Sequence, residues 1–180
     1  MQRALAHQWQ RMADGKARIL ERVGRISPEA RAWGPADGGW SAVDVVEHLV
    51  LVEEGVAAAL AKEPSPERPR VLGAGGRFPF WLVRVVLLTG VRRIRVPVDL
   101  VVPKGGVTWE ALTGRWNDQR ARLERWVTEA PETVLTAPRF KHPIGGWLDV
   151  RGALTFTADH LVNHLRQIGR IERGLTRSRE

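Results

Sequence analysis

Residues 158–168 read ADHLVNHLRQI, and their spacing decides how the rest of the chain is read. His160 and His164 are four residues apart, so on an α-helix they stand one turn apart on one face and can grip a single cation. The same face carries Ala153, Phe156, Gln167 and Ile171, which predicts a helix from about Val150 to Arg173 with an apolar, histidine-bearing inner side. Asp159, Arg166, Arg170 and Arg173 are expected to turn towards solvent, with Asn163 and Gln167 on the inner side near the histidines.

A third histidine lies more than a hundred residues earlier, in SAVDVVEHLVLVEEGVAAALAKE (residues 41–63). Ser41 is a good N-cap, with Asp44 three residues on in a capping-box arrangement. At 100° per residue His48 points with Val45, Val52 and Gly55, while Glu47, Glu53 and Glu54 lie towards the opposite side. Asp44 stands one turn before His48 on nearly the same face. It suits a helix cap or a partner that orients the imidazole equally well.

Two further helices follow from period alone. Leu5, Trp9, Met12, Ile19 and Val23 form one stripe over residues 2–24, weakened at Gly15 and Lys16. Thr108 caps a run in which Trp109, Leu112, Trp116, Leu123 and Trp126 keep a seven-residue rhythm. Four long helices predict an all-α four-helix bundle, a single domain over 1–180 with an irregular excursion at 63–106 between the second and third. In the excursion, FPFWLVRVVLLTGVRRIRV suits a short helix starting at Pro79 or a strand-like run, and VPVDLVVPKGG reads as extended chain and turn. APRFKHPIGGWLDV reads as a loop, and Trp40 as a packing staple before the second long helix.

Composition narrows the chemistry. The 180 residues contain no cysteine, which excludes disulfides, thiolate ligands and a protein thiol nucleophile. The net charge of +8 would attract nucleic acid, anionic lipid or acidic small molecules, although a solvated arginine-rich surface explains it equally. Arg84, Arg92, Arg93 and Arg95 could meet an anionic substrate or simply face water, and Phe80 or Trp81 could line a pocket. The first twenty residues are charged throughout, without a signal-peptide core, and the most apolar stretch, Phe78–Leu88, is too short to span a bilayer. The expected location is the cytoplasm, with a small-molecule substrate and neither a membrane nor a nucleic-acid partner, since no nucleic-acid-binding motif is present.

Buried imidazoles must find partners, and three clustered ones cannot satisfy one another fully or all carry charge. His48, His160 and His164 are therefore either hydrogen-bonded core residues or the ligands of one divalent ion. Three imidazoles without thiolate suit Zn, Ni, Fe or Cu and leave a coordination position open, where a water or thiol could be activated. Asp44, Asn163 and Gln167 are candidates to orient the rings or an incoming group. For the last two an ordinary interhelical hydrogen bond is the other reading. His7 among polar residues and His142 in a Lys-His-Pro loop are expected not to be ligands. No catalytic residue can be named.

Taken together, GGWSAVDVVEHLVLVE, VPKGGVTWEALTGRWNDQRARL and FKHPIGGWLDVRGALTFTADHLVNHLRQIGRI resemble the DinB-like (DinB/YfiT) superfamily of four-helix-bundle metalloproteins, in that family's order and over most of the chain beyond residue 35. The resemblance implies an antiparallel bundle with a long crossover between helices 2 and 3, often a homodimer. It also implies a metal held by one histidine of the second helix and the His-x-x-x-His pair of the fourth, which fall on His48, His160 and His164. Members with known activity include transferases and isomerases that use low-molecular-weight thiols such as bacillithiol or mycothiol, beside proposed metal-dependent hydrolases. Two expectations follow: a metal-dependent thiol S-transferase or hydrolase, or a non-catalytic metal-stabilised binding or stress-response module.

Overall fold

The structure is a computed structural model, and it describes residues 3–34, 38–63, 71–90 and 101–177. The elements in chain order are α1 (Arg3–Gly24), α2 (Pro28–Arg31), α3 (Ala42–Ala61), α4 (Phe80–Thr89), α5 (Trp109–Glu129), α6 (Glu132–Leu135), β1 (Phe140–His142), β2 (Gly146–Leu148) and α7 (Val150–Arg177). The fold is all-α, built on the four long helices α1, α3, α5 and α7, each within a few residues of the span read from period.

Caps and stripes account for these helices. Ser41 Oγ accepts from the Asp44 amide, and the Asp44 carboxylate accepts from Ser41 N and Oγ, so both ends of the capping box are made. Thr108 caps α5 through the Ala111 amide. The apolar stripes meet in one core: Leu5, Met12, Ile19 and Val23 from α1, Val45, Leu49 and Val56 from α3, Leu112, Trp116 and Leu123 from α5, and Leu154, Leu161 and Ile168 from α7.

Cross-helix pairs give the helix directions. Arg11 meets Asp159 and Arg22 meets Glu172, so α1 and α7 run the same way. Lys16 meets Asn117 and Arg120 reaches the Met12 carbonyl, so α1 runs against α5. Glu47, near the start of α3, binds the amides of Lys104 and Gly105 just before α5. At the other end Arg139 binds the Leu60 and Lys62 carbonyls, so α3 and α5 run the same way. At Gly15 α1 approaches α7 closely, since a Cβ there would stand 3.0 Å from Leu161 Cβ.

Three readings from the sequence are corrected. Glu47 and Glu53 are buried rather than outward, because α3 is covered on most sides: Glu47 holds the 104–105 backbone and Glu53 pairs with Arg120. Asp159 is fully buried rather than solvent-facing, held by Arg11 of α1 and Arg84 of α4. The 138–149 stretch is a short hairpin rather than a loop, with His142 paired to Gly146 at φ +76, a value suited to glycine. Within the excursion, Phe80–Thr89 is the short helix α4, ended by Gly90 in the left-handed conformation. Much of VPVDLVVPKGG, with Arg92, Arg93 and Arg95, lies outside the described residues.

Candidate metal centre

The site forms where α3 and α7 meet. α3 delivers His48, α7 delivers His160 and His164, and all three are less than a tenth exposed. Aromatic neighbours pack on two of the rings: Trp40 lies against His48, with ring centres 4.8 Å apart, and Phe156 stacks on His160 at 5.3 Å. Trp40 thus packs on the histidine cluster itself.

The three Nε2 atoms turn towards one another. His160 Nε2 lies 3.4 Å from His48 Nε2 and 3.1 Å from His164 Nε2, and one ligand atom from each residue falls within 4.8 Å of the others. The far sides of two rings are already committed. His48 Nδ1–H donates to the Val101 carbonyl at 2.8 Å, and His164 Nδ1–H donates to Gln167 Oε1 at 2.8 Å. An imidazole protonated on Nδ1 presents a bare lone pair on Nε2. His48 and His164 therefore both aim lone pairs at His160, which can donate a proton to only one of them.

Burial also keeps the rings neutral. It is the main cause that lowers the His48 pKa, brings His164 down to about 3, and holds His160 well below the usual imidazole range. The other imidazoles push the same way at His160 and His164.

This donor set fits a cation. Ligands must be neutral nitrogen lone pairs, and these are. Two imidazole nitrogens on one tetrahedral Zn-type ion stand about 3.3 Å apart, given bonds of about 2.05 Å. The two short separations bracket that value. Oxygen-seeking Mg²⁺ and Ca²⁺ fit poorly. Three buried histidines could thus hold one divalent metal ion.

The other candidates separate clearly. Gln167 touches the cluster and fixes the His164 tautomer. The Asp44 carboxylate is occupied by Ser41 at the helix cap. Asn163 is half-buried beside His164 and bonds no described side chain of the cluster. His7 is exposed. His142 is buried among Phe80, Phe140 and Phe156, and its Nδ1 accepts from the Ile144 and Gly145 amides, a turn-forming role. Phe80 therefore packs in this cluster, while Trp81 is exposed. Arg84 donates to Asp159.

Sequence reasoning missed the partner of His48, because a backbone carbonyl carries no side-chain signature. Glu47 explains its position: by holding the 104–105 amides it brings Val101 alongside the next residue of α3. It also missed Asp159, whose only signal was its place beside His160.

The model of the DinB superfamily matches residues 11–168, so the chain belongs to that superfamily. No curated protein and no solved structure matches it. Among the described residues no helix is long and apolar enough to cross a membrane.

Proposed function

We propose that this DinB-superfamily member is a divalent-metal enzyme whose ion is held by Nε2 of His48, His160 and His164. One observation carries the reading: three bare or shared Nε2 atoms converge inside the buried core while the opposite nitrogens of His48 and His164 are locked to oxygen acceptors. Without a cation that arrangement leaves a buried lone pair unsatisfied, which costs about 1–3 kcal/mol.

A Zn, Ni or Fe ion there would act as a Lewis acid with a position left for a small ligand, lowering the pKa of a thiol or a water that enters it. The protein's own part is preorganisation. Val101 and Gln167 fix the tautomers, Trp40 and Phe156 exclude water, and the capped start of α3 sets the height of His48. The chain has no cysteine, so in a thiol reaction the sulfur comes from a low-molecular-weight thiol such as bacillithiol or mycothiol. Family resemblance favours such S-transfer to a small electrophile over hydrolysis. A cytoplasmic homodimer belongs to the same reading.

A second reading is a non-catalytic module in which the metal stabilises the bundle. Its support is the burial of the site: His48, His160 and His164 are each less than a tenth exposed. Metal content by mass spectrometry, on the parent beside His48→Ala and His160→Ala, tests the site. About one ion per chain, lost in both variants, supports it, and no ion after reconstitution with zinc or nickel refutes it. Metal-dependent turnover with added thiols or hydrolysable esters then separates the two readings. A metal that raises the melting temperature without any turnover favours the second.

A further inference from the structure

The face of the molecule around α4 is chemically unlike the rest. Its inner side is anchored: Val83 is buried, Arg84 donates to Asp159, and Arg166 of α7 donates to the Leu87 carbonyl. Its outer side is apolar and open. Val71 is 68% exposed, Trp81 64%, Phe78 51%, Leu72 49% and Val85 45%. Trp81 and Val85 stand one turn apart on α4, and Phe78 lies just before its N-cap Pro79; no described residue covers this patch.

Charge selects the occupant. From Arg68 to Val98 the sequence carries Arg68, Arg70, Arg77, Arg84, Arg92, Arg93 and Arg95 and no Asp or Glu, which concentrates most of the chain's net charge of +8 in this stretch. Arg77, which is exposed, directly precedes Phe78 in the chain. A second copy bound isologously would bring Arg77 towards its own counterpart, with no acidic residue in the Arg68–Val98 sequence to answer it. A nucleic acid would satisfy Arg77 but leave the aliphatic Val71, Leu72 and Val85 with nothing to bury against. An anionic bilayer answers both features: headgroup phosphates suit exposed Arg77 and the acid-free sequence around it, and the interface takes Trp81, Phe78 and the aliphatics.

We propose that the α4 face, through Val71, Leu72, Arg77, Phe78, Trp81 and Val85, docks the protein peripherally on anionic phospholipid. The expectation of no membrane partner rested on the lack of a spanning segment, which this mode of binding does not need. The inference is independent of the metal reading.

The test is co-sedimentation of the full chain with phosphatidylcholine vesicles, with and without about a third phosphatidylglycerol. Binding is expected only to the anionic vesicles and is expected to weaken as salt rises. The Phe78→Ser/Trp81→Ser double variant, at exposed positions, is expected to keep the parent's melting temperature and to lose binding about tenfold or more. Arg77→Glu is expected to lose about fivefold or more. No binding to anionic vesicles, equal binding to neutral ones, or undiminished binding of the double variant would overturn the proposal. So would light scattering in which the double substitution turns a dimer into monomers, or a DNA duplex retarded by the parent when vesicles are not bound.

Discussion

Asp159 supplies the sharpest test of the packing beside the site. Its carboxylate is fully buried and has two cationic partners from different helices, Arg11 and Arg84, whose side chains are 26% and 38% exposed. Removing either arginine alone leaves the carboxylate with the other. Partial exposure discounts each bond, so Arg11→Leu and Arg84→Leu are each expected to cost about 1–1.5 kcal/mol. Removing both leaves a buried charge with no counter-ion, and that is expected to cost about 4–5 kcal/mol. The double variant should therefore exceed the sum of the singles by about 1–3 kcal/mol, within the range seen for groups sharing one partner. Urea denaturation of the four proteins, parent included, measures this directly, provided the m-values agree. An additive cycle, or a double variant that costs under about 2 kcal/mol, would mean that water already reaches Asp159 and that α4 is not fastened there.

Other consequences follow from the cluster and its surroundings. Gln167→Leu removes the acceptor that fixes the His164 tautomer and is expected to weaken zinc affinity about 10–100-fold, read by competition with a chromophoric chelator. Asp44→Ala breaks the capping box and is expected to lower stability by about 1 kcal/mol while leaving metal stoichiometry unchanged. A parallel loss of metal would show that Asp44 serves the imidazoles. Burial lowers the folded His142 pKa from 6.5 to about 4, so its contribution is full above about pH 6.5 and is lost as pH falls towards 4. His142→Phe is expected to flatten that acid slope by up to about 3 kcal/mol in denaturation curves at pH 7 and pH 4, and an unchanged slope would place the ring in water.

How much of this was readable in advance depends on where each partner sits. Helical period marked α1, α3, α5 and α7 because their apolar stripes recur every turn. It also marked His48, His160 and His164, because an imidazole on such a stripe stands out. A helical wheel sees one helix at a time, and that is why Asp159, Glu47 and Glu53 were turned outward: their partners are Arg11 and Arg84, the 104–105 amides, and Arg120, on other segments. The hairpin was hidden for a different reason. Three-residue strands are too short to show alternation, and only the glycine pair at 145–146 pointed to a turn.

The tight crossing at Gly15 has a practical consequence for anyone stabilising this protein. Glycine inside a helix usually invites replacement by alanine, a gain of about 0.5–1 kcal/mol in the helix interior. At Gly55 and Gly114 nothing lies within 4 Å of the methyl group that would be added, so both sites should accept it and raise the melting temperature. At Gly15 the same methyl group would press on Leu161, the residue after His160, and push the first helix off the last at the level of the histidines. A consensus-style glycine-to-alanine sweep therefore has to treat these three positions differently: Gly55 and Gly114 are open to improvement, while at Gly15 Leu161 has to give way.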